Sequence, residues 1–272
     1  MHEIFLNAFF QRLWKDREPF RAAFELTGES YRKVKSRHTF RVELEGKGYF
    51  VKLHRGIGWR EYFKNLLQFK LPVTDAGQEY RALLHLKEHG VDSMTPAAYG
   101  CRGVIPFART SFLITEELTT CVSLEDFCRE WAVRPPPLAV KRALIRKLGD
   151  MAGTMHRSGL NHRDCYICHF LLRKGSEKTA DPKLYVIDLH RAQIREKVPW
   201  HYWVKDVAGL WFSAMDAGLT KQDVCCFLQS YFRQDLHTVF ESRRSFLNAA
   251  DETARKLYRK DHRKEPPSGT VF

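Results

Sequence analysis

Four charged side chains follow one another along the chain in an order that suits phosphoryl transfer: Lys52, Glu79, Asp164 and Asp188. Transfer from ATP needs a cation on the nucleotide phosphates, carboxylates that hold Mg²⁺, and a carboxylate that accepts the proton of the attacking hydroxyl. We expect Lys52 to contact the α- and β-phosphates, with Glu79 holding it in position. Asp188 is the predicted metal ligand and Asp164 the predicted base. The sequence therefore predicts an enzyme that uses ATP and Mg²⁺ to phosphorylate a hydroxyl group.

The sequence around these residues follows kinase patterns. Lys52 ends the run Tyr49-Phe50-Val51-Lys52, as the lysine of the V-A-I-K strand does. The tripeptide His162-Arg163-Asp164 follows a long helical segment and a turn, as the kinase catalytic loop does. Asp188 closes an apolar strand, like the metal-binding Asp of D-F-G. Each pattern alone is common, whereas their combined order is fairly specific.

A strand-rich first part of the chain positions Lys52 and Glu79. Three β-rich runs separated by short polar turns predict an antiparallel meander: Tyr31–Val34, Thr39–Leu44 and Tyr49–Lys52. A helix with an apolar side is predicted from about Asp75 to His89, with Gly90 as its stop.

A further buried strand, Ser111–Thr115, leads into the acidic pair Glu116-Glu117. We expect the adenine base to pair with the backbone here, from Glu116 to Leu118. The predicted boundary between the two halves of the chain falls directly after this segment.

The second part of the chain is mostly helical. Arg134-Pro135-Pro136-Pro137 is a rigid connector that cannot lie within a helix. A helix is predicted from about Ala139 to His156, and two short strands follow it, Phe170–Leu172 and Leu184–Ile187. The predicted fold class is therefore α+β, with a β-rich N-terminal lobe over 1–118 and a helical C-terminal lobe over 119–272.

Three features depart from ordinary protein kinases. The turn Lys35-Ser36-Arg37-His38 has no glycine, so its backbone cannot approach phosphates closely, and the charge of Lys35 or Arg37 would have to compensate. His169 stands where kinases carry an Asn that binds the second Mg²⁺, so we take His169 as a second candidate metal ligand. Asp188 is followed by Leu-His instead of Phe-Gly, and no A-P-E segment is evident. This favours a small or lipid-linked acceptor over a peptide.

The loop sequence Cys165-Tyr166-Ile167-Cys168-His169 admits two other interpretations. C-x-x-C-H is the attachment motif for c-type haem, but haem attachment requires export and the chain shows no signal-peptide pattern. Zinc held by His162, Cys165, Cys168 and His169 is a third possibility, although four ligands in one short loop would be cramped. We favour the simplest interpretation, in which both cysteines are small buried hydrophobic residues beneath the loop.

Composition and charge restrict the compartment and the partners. The 272 residues carry a net charge of +13 with a pI near 9.5, which favours an acidic partner such as nucleic acid, an anionic membrane or a polyanionic substrate. Seven cysteines, an odd number without a disulfide spacing, indicate reduced thiols. Because no apolar run is long enough to span a membrane and no signal peptide is recognisable, we expect a cytoplasmic protein.

Other functional classes stay open. The charge and the basic segment Arg255–Lys260 suggest a nucleic-acid-binding protein, but no recognition motif is present, so nucleic acid is not expected as a partner. A catalytically inactive scaffold is disfavoured because Lys52, Asp164 and Asp188 are all present. The basic, amphipathic stretch Arg55–Lys70 is a candidate contact for anionic lipid or acidic sugar, or a helix packed on the N-terminal lobe.

The loop carries a more specific resemblance. The run His162-Arg163-Asp164-Cys165-Tyr166-Ile167-Cys168-His169-Phe170-Leu171-Leu172 resembles the catalytic loop of the lipopolysaccharide inner-core heptose(I) kinases of Gram-negative bacteria. Three other stretches share the resemblance: His54-Arg55-Gly56-Ile57-Gly58-Trp59, Arg134-Pro135-Pro136-Pro137 and Val186-Ile187-Asp188-Leu189-His190-Arg191-Ala192. It extends over nearly the whole chain.

The resemblance implies a protein-kinase-like fold, ATP and Mg²⁺. The implied reaction phosphorylates a heptose of the lipopolysaccharide core at the cytoplasmic face of the inner membrane, where the protein would make peripheral contact with anionic lipid. It also implies acyl carrier protein as a partner, and this strongly acidic protein would suit the basic surface. Another sugar or lipid-linked acceptor stays the alternative.

Overall fold

The computed structural model describes residues 2–34, 36–56, 58–59 and 75–267. The chain divides into two compact units, each assembled from several segments. The first unit comprises residues 1–85, 94–118 and 189–191, and the second comprises residues 86–93, 119–188 and 192–272. The first unit contains Lys52 and Glu79, whereas Asp164 and Asp188 belong to the second.

An antiparallel sheet of six strands forms the framework of the first unit. In the order in which they lie side by side, the strands are β1 (His2–Leu6), β5 (Pro96–Arg102), β6 (Thr110–Glu116), β4 (Lys47–Arg55), β3 (Arg37–Leu44) and β2 (Glu29–Val34). Strands β2, β3 and β4 are joined as successive hairpins. The predicted meander is therefore present, and its third strand is longer at both ends than predicted.

The core of the first unit explains which way Lys52 points. Two helices, α1 (Ala8–Leu13) and α2 (Pro19–Glu25), contribute aromatic side chains to a buried cluster with alternate residues of β4, namely Tyr49, Val51 and Leu53. Successive side chains of a strand point to opposite faces of the sheet. Lys52 therefore lies on the face away from this cluster.

Helix α3 (Gly77–Glu88) begins just after a buried aspartate. The carboxylate of Asp75 accepts a hydrogen bond from the Gly77 amide at 2.8 Å and pairs with Arg109 at 2.9 Å. Gly90 follows the helix with φ of +70°, a conformation that glycine adopts without steric cost. The predicted helix is confirmed with a start two residues later than Asp75.

The second unit is mainly helical, with two small sheets. Its helices are α4 (Leu124–Cys128), α5 (Leu138–Arg157), α6 (Trp200–Ala214), α7 (Lys221–Phe232) and α8 (Leu236–His262). A three-stranded sheet contains β10 (Leu184–Val186), β9 (Phe170–Arg173) and β7 (Cys121–Ser123), and a two-stranded sheet contains β8 (Leu160–Asn161) and β11 (Gln193–Ile194). The predicted helix from about Ala139 corresponds to α5.

Helices α5 and α7 approach each other closely because α5 presents two glycines to α7. A Cβ atom added at Gly153 would lie 2.1 Å from the carbonyl oxygen of Tyr231, and one at Gly149 would lie 2.8 Å from that of Phe227. The backbones of the two helices are in close contact here. The two glycines are four residues apart and therefore lie on one face of α5. A buried ion pair, Lys141 to Asp223 at 2.7 Å, also joins the two helices.

Several details differ from the sequence predictions. The strand predicted over Leu184–Ile187 ends at Val186, because the Ile187 amide bonds to the His169 carbonyl and the chain then turns at Asp188. Strands β1 and β5 were not predicted. Apart from Arg55, Gly56, Gly58 and Trp59, the amphipathic stretch 55–70 lies outside the described residues, as does Lys35.

All seven cysteines are free thiols, as predicted. None of the helices in the described part of the chain combines the length and the apolar character of a membrane-spanning segment.

Candidate active site

Lys52 and Glu79 form an ion pair in the first unit. The Nζ of Lys52 lies 2.6 Å from Oε1 of Glu79, and their side chains are 18% and 2% exposed. Glu79 stands in the first turn of α3, and Lys52 projects from β4 on the face of the sheet opposite the aromatic cluster. Because a buried carboxylate needs a charged partner, the pair fixes the position of the lysine amine.

His54 lies two residues beyond Lys52 on the same strand and is 6% exposed. Burial, followed by the nearby charges of Arg37 and Lys52, lowers the pKa of His54 to about 3. The imidazole is therefore neutral at physiological pH. This neutral ring adds no further positive charge beside the lysine.

Glu116 and Leu118 lie at the end of β6 in the first unit. The Glu116 amide bonds to the carbonyl of Thr95 at 3.0 Å, and its side chain is exposed, while Leu118 is half-buried. Between them, Glu117 forms a two-pronged ion pair with Arg41, with nitrogen–oxygen distances of 2.8 and 2.9 Å. This pair stabilises the segment predicted to contact adenine.

In the second unit, a buried aspartate that the sequence analysis missed holds the loop His162-Arg163-Asp164. Asp206 of α6 is 1% exposed, and its two carboxylate oxygens accept hydrogen bonds from the backbone amides of His162 (2.6 Å) and Arg163 (2.8 Å). Arg163 has φ of +74°, a conformation that costs free energy for a residue with a side chain. The carboxylate therefore stabilises a strained backbone directly before Asp164.

A third hydrogen bond to Asp206 comes from His156 of α5, whose Nε2 lies 3.3 Å from Oδ2. The other ring nitrogen of His156 accepts from the hydroxyl of Tyr231 at 2.5 Å. Burial raises the pKa of Tyr231 well above its ordinary value, so the hydroxyl keeps its proton. A chain of hydrogen bonds thus leads from α7 through α5 to the loop.

The His162 ring connects this loop with the segment that carries Asp188. Its Nε2 donates to the carbonyl oxygen of Ile187 at 2.9 Å, and burial lowers its pKa. Asp188 follows with φ of +61°, in the left-handed region that Asp tolerates better than most residues. The Asp188 carboxylate is 36% exposed.

The imidazole of His169 lies between the backbone of Asp164 and the carboxylate of Asp188. Its Nδ1 lies 2.7 Å from the backbone oxygen of Asp164, and its Nε2 lies 3.6 Å from Oδ2 of Asp188. A carbonyl oxygen only accepts, so Nδ1 carries a proton, and Nε2 is the ring nitrogen that points towards Asp188. A metal-bound histidine usually has its other nitrogen fixed in this way.

The chain matches the model of the lipopolysaccharide kinase (Kdo/WaaP) family over residues 22–231. The chain belongs to this family. Its curated relatives include the lipopolysaccharide core heptose(I) kinase WaaP of Pseudomonas aeruginosa, which is 50% identical over 93% of this chain and 95% of its own length. A protein of the same name from Escherichia coli is 44% identical over 94% of this chain and 97% of its own length.

A solved structure of WaaP in complex with acyl carrier protein is 45% identical to this lipopolysaccharide kinase. It superposes with a TM-score of 0.81 and covers 94% of this chain and 99% of the other. The mixed fold, with a β-sheet unit and a helical unit, is therefore shared with WaaP. As a kinase, the chain uses ATP, and kinases usually require a divalent metal as well.

The positions of the two loop cysteines in this lipopolysaccharide kinase do not support the zinc alternative. Cys165 is 1% exposed, which confirms its predicted burial, whereas Cys168 is only half-buried. Burial raises the pKa of Cys165 well above the ordinary range and that of Cys168 to about 11, so both are protonated thiols in the metal-free protein. Within the described residues, His162, Cys165, Cys168 and His169 do not come together as a group of metal ligands.

Asp206 is the residue that the sequence reasoning missed. A signal was present, because this carboxylate stands in the middle of a largely apolar helix, between Val204 and Val207. An acidic residue at a core position must be paired or hydrogen-bonded. The pattern indicates such a residue but gives no information on its partner.

Proposed function

We propose that the protein transfers the γ-phosphoryl group of ATP to a heptose hydroxyl of the lipopolysaccharide inner core, with a protein-kinase-like fold whose lobes span 1–118 and 119–272. The observation that carries this proposal is the Lys52–Glu79 ion pair. Glu79 is 2% exposed, and burying a charged pair seldom adds stability to a fold. A lysine amine held in this way is suited to a phosphate, and the two residues stand at the kinase positions of the sequence.

The roles of the other residues follow from their chemistry. Lys52 neutralises charge on the α- and β-phosphates, and the backbone from Glu116 to Leu118 pairs with adenine. Asp164 accepts the proton of the attacking hydroxyl. Asp206 positions Asp164 through the two preceding amides, at 2.6 and 2.8 Å.

Asp188 and His169 fit a divalent cation, with Mg²⁺ as the proposed ion. A partly exposed carboxylate oxygen and an imidazole nitrogen with a fixed tautomer face each other at 3.6 Å. A bound metal ion would neutralise the negative charge of the nucleotide phosphates. Because imidazole is a softer ligand than an amide oxygen, this pair suits Mn²⁺ better than the kinase Asp–Asn pair does.

The acceptor is proposed from the relatives. Two curated proteins named lipopolysaccharide core heptose(I) kinase are 50% and 44% identical to this chain, over at least 95% of their own lengths. At such identity and coverage, the acceptor is expected to be shared.

The decisive experiment measures transfer of labelled γ-phosphate from ATP to core oligosaccharide that has been dephosphorylated. Wild-type protein should label the heptose, and Asp164→Ala should label it at least about a hundredfold more slowly. A matched oligosaccharide that lacks the heptose distinguishes this acceptor from another sugar. Labelling of both oligosaccharides, or of neither, would refute the proposed acceptor.

We also propose a cytoplasmic location, acyl carrier protein as a partner and peripheral contact with the anionic face of the inner membrane. The net charge of +13 supports attraction to acidic surfaces, and the solved relative is a complex with acyl carrier protein.

If charge drives these contacts, binding of acyl carrier protein or of vesicles with anionic lipid should weaken steeply with salt. The Debye length falls from about 10 Å at 0.1 M to about 3 Å at 1 M. Binding that survives 1 M salt would show that the contact is mainly apolar.

A further inference from the structure

The second unit contains a cavity of about 360 Å³ whose walls include three basic side chains. Arg157 comes from the end of α5, Lys197 from the segment before α6, and Arg243 from α8. Glu196 is the one carboxylate among the lining residues. None of these four residues has a role in the proposed phosphoryl transfer. The cavity is within the size range of small-molecule sites.

The three cations have no carboxylate partner among the described residues. Arg157 donates only to the carbonyl of Tyr231 and the hydroxyl of Thr154, and Lys197 and Arg243 form no ion pair. Burial, followed by the charge of Arg233, lowers the pKa of Arg157, although the carboxylate of Asp150 acts in the opposite direction. Like charges around one cavity repel one another, and a bound anion would relieve that repulsion.

The guanidinium of Arg243 lies against two aromatic rings, in a position suited to bind such an anion. Its guanidinium carbon lies 5.9 Å from the ring centre of Trp203 and 5.8 Å from that of Phe232. Its Nε is buried and has no hydrogen-bond partner in the part of the chain that the structure describes. A planar guanidinium fixed on aromatic rings with a donor to spare is suited to two-pronged binding of phosphate.

The floor of the cavity is connected with the catalytic loop. His156 and Tyr231 both line it. Trp203 Nε1 donates to the Tyr231 hydroxyl, which donates to Nδ1 of His156 at 2.5 Å, and Nε2 of His156 donates to Asp206 at 3.3 Å. Asp206 in turn accepts from the backbone amides that precede Asp164. A ligand that moves Tyr231 therefore acts on the loop through three successive hydrogen bonds, and one that moves Trp203 acts through four.

We propose that this cavity is a second anion site that binds a compact phosphate ester or inorganic phosphate, and that its occupancy adjusts the catalytic loop through Tyr231, His156 and Asp206. Three cations and one carboxylate leave two net positive charges, which match a dianion better than a carboxylate. The regulatory part of the proposal rests on the proposed kinase function, whereas binding does not. The phosphate could come from a free metabolite or from a phosphate group on the acceptor.

Calorimetric titration of the full chain with inorganic phosphate tests the site. Mg²⁺ and a saturating non-hydrolysable ATP analogue are included so that the nucleotide site is blocked. We expect phosphate to bind, benzoate to bind at least tenfold more weakly, and Arg243→Gln to weaken phosphate binding about tenfold. Arg244→Gln changes the exposed neighbour on α8 and serves as the matched control. Equal binding of benzoate and phosphate, or equal weakening by both variants, would overturn the site.

A competition experiment separates the two sources of phosphate. An acceptor that carries phosphate is compared with its dephosphorylated form as a competitor of inorganic phosphate. If only the phosphorylated form competes, the site is supported and the acceptor supplies the phosphate group that it binds. If neither form competes and inorganic phosphate still binds, the site is supported and a free metabolite supplies the phosphate group.

Amide hydrogen exchange tests the connection with the loop without measuring kinase activity. We expect phosphate to slow exchange at the amides of His162 and Arg163 several-fold in the wild type. Tyr231→Phe keeps the aromatic wall but removes the hydroxyl, so phosphate should still bind without slowing exchange. If this buried variant does not fold, His156→Asn breaks the same chain and replaces it. Unchanged exchange in the wild type on phosphate binding would overturn the connection, whatever the outcome of the transfer assay.

Discussion

Nδ1 of His169 donates a hydrogen bond to the backbone carbonyl of Asp164 over 2.7 Å, which leaves Nε2 facing the Asp188 carboxylate at 3.6 Å. One side chain thus contacts the proposed catalytic loop and offers a second ligand atom beside the proposed metal ligand. An Asn at this position would offer a harder oxygen ligand instead.

His169→Asn should therefore move the metal preference from Mn²⁺ towards Mg²⁺ while keeping substantial activity. The measurement is kcat as a function of each metal concentration for both proteins. His237→Asn, at an 80% exposed position of α8, is the control. If the ratio of activities with the two metals stays the same in His169→Asn, His169 serves the loop alone.

Asp164→Ala should lower kcat by about 10² to 10⁴ with ATP affinity near normal, because a base acts chiefly in the transition state. Single-turnover kinetics, with nucleotide binding measured separately, would check this. Wild-type turnover under conditions where chemistry limits the rate would exclude Asp164 as the base.

Lys52→Ala should impair both ATP affinity and kcat, because it removes a charge that we propose contacts the phosphates in the ground state and in the transition state. The expected loss of kcat/KM is about 10²-fold or more. Glu79→Gln should have a smaller effect of the same kind, since the amine stays but loses its fixed position. Lys47→Ala, an exposed lysine at the start of β4, is the matched control. A normal KM for ATP in Lys52→Ala would contradict the phosphate contact.

Asp206→Asn should lower kcat by about tenfold or more while leaving the KM for ATP unchanged, because Asp206 acts on the loop and not on the nucleotide. It should also speed amide exchange at His162 and Arg163, since a neutral amide accepts more weakly than a carboxylate. Asp181→Asn, at an 81% exposed position, controls for the loss of charge. Thermal destabilisation with unchanged kcat at a permissive temperature would limit Asp206 to a purely structural role.

His54 should make the protein less stable as the pH falls. Its pKa is about 3 in the folded state against an ordinary 6.5, so between these values the unfolded chain binds a proton that the folded chain does not. The free energy of unfolding should thus decrease from pH 7 to pH 5 by roughly 2 kcal/mol on account of this residue.

Urea denaturation of the wild type and of His54→Gln at both pH values measures this contribution. The variant should lose about 2 kcal/mol less than the wild type over that range. His237→Gln, at the exposed position on α8, should retain the wild-type pH dependence. Parallel curves for wild type and His54→Gln would show that His54 does not stay neutral in the folded protein.

Periodicity and motif order predicted those features that depend on neighbours in the sequence. The meander, α3 and α5 each repeat a local pattern, and Lys52 and Asp188 each end an apolar run. Features that depend on distant residues were not accessible in this way. Asp206 contacts amides that lie far from it in the sequence, and the tautomer of His169 is set by a carbonyl whose position requires the folded loop.

The edge strand β1 shows another limit of the sequence analysis. Its partner β5 contains a proline and a glycine, both poor strand formers, yet five residue pairs join the two strands. Pairing along the sheet overcomes the weak local preference of β5. Cys168 was predicted to be buried but is half-buried. Its position in the sequence gives no measure of how closely α4 and the loop pack.

Gly149 and Gly153 have a consequence for how this protein can evolve. A single methyl group at Gly153 would displace Tyr231, and with it the hydrogen bonds that reach the catalytic loop, although no functional side chain would be altered. Natural variation should therefore be purged at these two positions, whereas substitutions at the charged rim of the neighbouring cavity would change its ligand without changing this packing. A new ligand preference could then arise at the rim by single substitutions without disturbing the packing of the helices beneath it.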